Sequence, residues 1–255
     1  MIATLSMYDW PGQSIHWDAL WRHVRNALRA RGLAAPDALT RQGSLWDHWQ
    51  SPDLVLGQTC GMPYRQRLHG QVGLVGTLDH GLPGAPAGHY YSVLVARRDV
   101  AGGIADFADR TLAYNGLDSE SGWAAPQNHA ARHGFRFTRK LHTGAHRESA
   151  RAVAEGRADI AAIDAETWRL LETYLPETAG ALRVIARTEP TPGLPLITAK
   201  DRDADAVFAA VEEALSAVDP ATREALHIRG IVRIPAADYL AVPTPAIPSQ
   251  DAPAA

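Results

Sequence analysis

Residues 114–129 are YNGLDSESGWAAPQNH. This stretch follows an apolar strand-like segment, LAYN from Leu112, and runs into a helical pattern from about Gly122 to His133, so it is a strand-to-helix turn made of small polar residues. Ser119 and Ser121 stand where a helix N-cap is expected, and Gly122 permits close backbone approach. The first N–H groups of a helix point outward and carry partial positive charge, so hydroxyls beside them complete a cradle for an oxyanion without any lysine. The plainer reading of Ser121 is that it only caps the helix.

The pattern recurs downstream. Residues 141–150, LHTGAHRESA, again give a strand end, a glycine and a helix start at about Arg147, with His146 beside the opening of that helix. Residues 158–164, ADIAAID, form an apolar strand ending in Asp164, which either accepts hydrogen bonds from a ligand or caps the helix that starts at Glu166. FRF, residues 135–137, reads as one more strand. Strands alternating with helices argue for a mainly parallel sheet wound by right-handed crossovers, with ligands at the C-terminal edge of its strands.

Upstream, Ile2 to Met7 reads as a strand and His16 to Arg31 as an amphipathic helix in which Trp17 and Trp21 serve the core. A short helical piece at Leu45 to Gln50 precedes a buried strand at Asp53 to Thr59 that ends in a Gly-bearing loop, where Gln58, Thr59 and Tyr64 can offer hydrogen bonds to a ligand. Tyr8, at the end of the first strand, is a candidate pocket wall. After strands at Val72 to Thr77, Tyr91 to Ala96 and Leu182 to Ala186, the segment TEPTPGLPLITA reads as a crossover, and Asp203 to Val218 as a long amphipathic helix. Two lobes are therefore expected: residues 1–96 with 190–242, and residues 97–189, hinged near Ala96 to Arg98 and Glu189 to Leu194, with a ligand cleft between them. The Pro- and Ala-rich tail, 243–255, is expected to be disordered.

At 255 residues, with 46% hydrophobic and 21% charged residues, the composition is that of an ordinary globular chain, and the formal charge of -3 with dispersed Lys and Arg excludes the electrostatic footprint of a nucleic-acid binder. The single cysteine, Cys60, excludes an internal disulfide framework. No apolar run reaches the length needed to span a bilayer, and the N-terminal MIATLSMYDW has no export-leader pattern.

The segments YNGLDSESGWAAPQ, HTGAHRESARAVAEGRADIAAIDAETW and GHYYSVLVA, in their order and spacing, resemble the phosphate/phosphite/phosphonate-binding proteins of ABC importers over roughly residues 50 to 200. The resemblance implies a type II periplasmic-binding fold, two α/β lobes with ligand in the cleft, and a binding role rather than catalysis. Position by position, it implies that Ser119, Ser121 and Gly122 form the serine-rich phosphonate loop, His146 its Gly-x-His histidine, Tyr91 a first-lobe tyrosine, and Asp164 an acceptor at a strand end. It further implies a small oxyanion ligand, no cofactor, an ABC permease partner, a monomer and a periplasmic location, although a chain without a leader would also suit a cytoplasmic anion sensor. Glu120, between the serines, departs from the family's usual neutral residue, and a carboxylate facing a dianion repels it unless it points away.

Two other chemistries are readable. Cys60 ends a strand with His48 and His69 in the surrounding sequence, an imaginable nucleophilic pair, though a buried inert cysteine is commoner. His129 with His133, and His142 with His146, are four apart as on one helix face, but neither pair has the neighbouring Glu of a zinc-hydrolase motif.

Overall fold

The computed structural model describes residues 1–246, which divide into two compact units: residues 1–89 with 192–240, and residues 90–191 with the chain from 241 onward. The first passage between units falls between His89 and Tyr90, not near Ala96, because Ser92–Arg97 is a fully integrated strand of the second sheet. The second passage falls between Thr191 and Pro192. Of the tail expected to be disordered, residues 247–255 lie outside the described residues. The part that is described belongs to the second unit, where Asn128 Nδ2 donates to the Pro243 carbonyl at 2.9 Å.

The first unit is built on a five-stranded sheet ordered Ile2–Thr4, Leu54–Gln58, Pro195–Ala199, Val72–Asp79, Gly230–Val232. Only the first pair is parallel; the other three neighbouring pairs are antiparallel. The helix Ser14–Ala30 buries Trp17, Leu20, Trp21, Val24, Ala27 and Leu28, a 3.6-residue stripe, and packs on Ala204–Ala217. Both tryptophans are anchored as core residues, with Trp17 Nε1 donating to the Tyr8 carbonyl and Trp21 Nε1 to that of Pro36. Another core layer joins Trp49, Leu54, Tyr64, Leu68, Ile197 and Tyr239.

The second unit carries the sheet Lys140–His142, Leu112–Tyr114, Ile160–Asp164, Ser92–Arg97, Leu182–Arg187. Its first three strands are parallel, and Ser92–Arg97 runs antiparallel to both neighbours. Leu94, Leu112, Ile160, Phe107 and Phe137 form its core.

Both sheets are thus mixed in their pairing: in the second only Ser92–Arg97 opposes the other four strands, and in the first Pro195–Ala199 and Gly230–Val232 oppose the other three. A strand delivered by a helical crossover must run parallel, but Pro195–Ala199 and Ser92–Arg97 each enter directly after the chain changes unit and are free of that constraint. TEPTPGLPLITA is accordingly more than a crossover: its second half is the middle strand of the first sheet, with Pro195 tolerated as the first residue of the strand. FRF is not a strand. Phe137 is buried, and its N–H and carbonyl are bonded by the Gln127 side chain, which accepts at 3.2 Å and donates at 3.0 Å.

Candidate functional site

In the second unit, Ser92 lies opposite Asp164, and Leu112 and Ala113 pair with Ile160 and Ala161. That register brings Tyr91, the loop after Tyr114, the loop after His142 and Asp164 to one edge of the sheet. The loop after Tyr114 enters a helical run from Glu120 to Arg132 whose first turn, Glu120–Ala124, is a π-turn, a local widening that often marks functional positions. Ser119, not Ser121, is the cap, its Oγ accepting from the Gly122 N–H at 3.0 Å. Ser121 is thereby freed for another contact: its Oγ lies 2.8 Å from His146 Nε2. The Ser92 hydroxyl donates to the Ser121 carbonyl at 2.8 Å, fastening the loop to the sheet.

His146 is the first residue of the helix His146–Ala154. Burial lowers its pKa to about 4, with the nearby Ala162 carbonyl opposing the shift. The residue as a whole is half-buried, yet its Nδ1 is cut off from water and makes no hydrogen bond, so a proton there would be desolvated. The ring is neutral at physiological pH, so the pair offers hydrogen bonds without a formal cation.

Asp164 caps the helix that follows it. Its Oδ1 accepts from the N–H groups of Glu166 and Thr167 at 2.8 and 2.9 Å, capping Ala165–Tyr174. Tyr91 belongs to the second unit, not the first, with the Arg187 guanidinium 5.4 Å over its ring. Glu120 is buried and lines a small cavity of about 40 Å³ with Asn128, His129 and Thr188.

In the first unit the edge residues are Tyr8, Gln58 and Thr59. Ile2–Thr4 runs parallel to Leu54–Gln58, so the chain leaves both strands at the same edge. Gln58 is 1% and Thr59 0% exposed, yet Gln58 Nε2 and Oε1 and Thr59 Oγ1 reach no hydrogen-bond partner, while their backbones are held by Trp49 Nε1 and the Pro195 carbonyl. Buried polar atoms of this kind cost about 1–3 kcal/mol each unless something satisfies them. Tyr8 is buried, its ring edge-on to His80 at 5.1 Å.

Sequence reasoning missed Asn115. Asn115 Oδ1 and Trp123 Nε1 are both buried without hydrogen-bond partners beside the Ser119–Gly122 loop, and the Trp123 ring packs on Tyr114. An asparagine directly after a strand carries no distinctive sequence signal. Elsewhere, the His129 and His133 rings lie 4.8 Å apart and tilted by 50°, and among the described residues no three His, Cys, Asp or Glu side chains are grouped to hold a metal.

Residues 56–239 match the family model described as ABC transporter, phosphonate, periplasmic substrate-binding protein. The chain belongs to that family. No curated protein matches the sequence. Among solved structures, PhnD1 from Prochlorococcus marinus in complex with methylphosphonate aligns with a TM-score of 0.70 and 12% identity over 93% of each chain. A binding protein component of an ABC phosphonate transporter from Pseudomonas aeruginosa aligns at 0.64 and 19%, over 86% of this chain and 77% of that one. A Xanthomonas citri protein bound to ATP aligns at 0.66 and 16%, covering 88% and 90%. These likenesses are of fold, that of two-unit periplasmic binding proteins. As a phosphonate-transporter binding protein the chain is not an enzyme, and Cys60 is not a catalytic nucleophile; it is buried, and the His69 ring packs against Tyr64 at 5.9 Å. No helix among the described residues is long and apolar enough to cross a membrane.

Proposed function

We propose that this phosphonate-family protein binds a small phosphonate or phosphate-like oxyanion through Ser119, Ser121, Gly122 and His146, and hands it, as a periplasmic monomer, to an ABC permease. The observation that carries the reading is the Ser121 hydroxyl held 2.8 Å from a neutral His146 at the first turn of a helix, in a loop whose capping serine is supplied separately by Ser119. Hydroxyls and helix N–H groups suit a tetrahedral oxyanion. Tyr91 forms a wall at the same sheet edge. In the first unit, taken by itself, Gln58, Thr59 and Tyr8 are the residues put forward as ligand-binding at the edge where the parallel strands Ile2–Thr4 and Leu54–Gln58 end. Asp164 fixes the strand end by accepting from the Glu166 and Thr167 N–H groups through Oδ1, and its carboxylate is the acceptor at that edge for a ligand hydrogen.

Calorimetric titration with methylphosphonate, phosphate and phosphite tests this. Wild type is expected to bind at least one of them far more tightly than chloride, and Ser121→Ala and His146→Ala each to weaken that binding about 10- to 100-fold, since a hydrogen bond to a charged group is worth about 1.5–3 kcal/mol. A wild type that treats all three like chloride, or two variants that bind as wild type does, would sink the assignment.

A further inference from the structure

Gly122 has no room for a side chain. A Cβ built there would stand 1.9 Å from Asn115 Oδ1 and 3.2 Å from His146 Cε1. The Asn115 amide oxygen therefore lies against the Gly122 Cα–H, a contact that suits an oxygen and not an NH₂ group. That oxygen is cut off from water and meets no hydrogen-bond donor. Its backbone is pinned as well: the Asn115 carbonyl faces His142 Nε2 at 3.2 Å. An acceptor is thus fixed beside the Ser121–His146 pair.

A site made only of donors welcomes any tetrahedral anion. An unsatisfied acceptor in the same site changes the selection, because it repels the lone pairs of a fully deprotonated oxygen and bonds an oxygen that carries a hydrogen. Monoanionic phosphonate and phosphate keep such a P–OH up to around neutral pH, whereas sulfonate and sulfate keep none. We propose that Asn115 is a specificity-determining residue: its Oδ1 accepts a hydrogen bond from the P–OH of a monoprotonated phosphonate or phosphate and so selects hydrogen-bearing oxyanions against sulfonates. The inference rests on the reading that the anion occupies the Ser119–Gly122 loop.

Titration at about pH 6, where the monoanion is well populated, compares methylphosphonate with methanesulfonate, which has the same shape and no proton. Wild type should prefer methylphosphonate at least about tenfold, because a site built to bond a hydrogen rejects the analogue that lacks it. Asn115→Leu should bring the two ligands within a few-fold of each other, while Asn115→Asp, which keeps an acceptor in place, should retain the preference. Should Asn115→Leu fail to fold, Asn115→Asp decides alone. Equal wild-type affinities, an Asn115→Leu ratio unchanged from wild type, or an Asn115→Asp protein without preference would each overturn the inference while leaving the oxyanion site standing. A wild type that binds no methylphosphonate at all would overturn both.

Discussion

His146 shows how one residue links binding and stability. Its pKa is lowered from 6.5 to about 4 by burial, so protonation is harder in the folded protein than in the unfolded chain. The unfolded chain takes up a proton as pH falls below about 6.5, the folded one only near 4. Stability from this group is therefore complete above 6.5, declines as pH falls through that window, and is gone below about 4. Urea unfolding of the ligand-free protein across this range should show the advantage of wild type over His146→Gln shrinking toward low pH. Parallel profiles would mean that His146 does not sense its burial in the way the structure indicates.

At the scale of elements, much was legible. Helices with a long apolar stripe, such as the one bearing Trp17 and Trp21, announce themselves through spacing, and the serine-rich turn after Leu112–Tyr114 was readable because cap residues and a glycine fall together. Strand direction was not legible, since it depends on how the chain re-enters a sheet rather than on the residues of the strand. Asn115 was hidden for a related reason: its role arises only from its approach to Gly122. The misread FRF segment has a chemical explanation. An alternating aromatic pattern looks like a strand, but Gln127, buried on the neighbouring helix, does for Phe137 what a ladder partner would do. Gln127→Leu would leave a buried N–H and a buried carbonyl unsatisfied and should cost about 2–3 kcal/mol, seen as a lower urea midpoint with unchanged slope. A loss under about 0.5 kcal/mol would show that this segment finds other partners.

For the molecule as a whole, ligand and fold are linked by mass action. Each unit has its own sheet and its own buried core, so each can lose its structure on heating, and anything that binds only the native protein must raise the temperature at which this happens. At about 100 times its dissociation constant a ligand adds about 2.7 kcal/mol. For a chain of this size that corresponds to a rise in Tm of about 5–10 °C. Scanning calorimetry with methylphosphonate should show that rise, with methanesulfonate at the same concentration giving a much smaller one. Ser121→Ala should lose about half of the shift or more while keeping a ligand-free Tm near that of wild type, because the loop is still capped by Ser119 and still tied to the sheet through the Ser92 bond to the Ser121 carbonyl. A shift that persists in full in Ser121→Ala would place the stabilising anion elsewhere in the protein. A wild-type shift no larger than chloride produces at equal ionic strength would leave the oxyanion reading without its thermodynamic consequence.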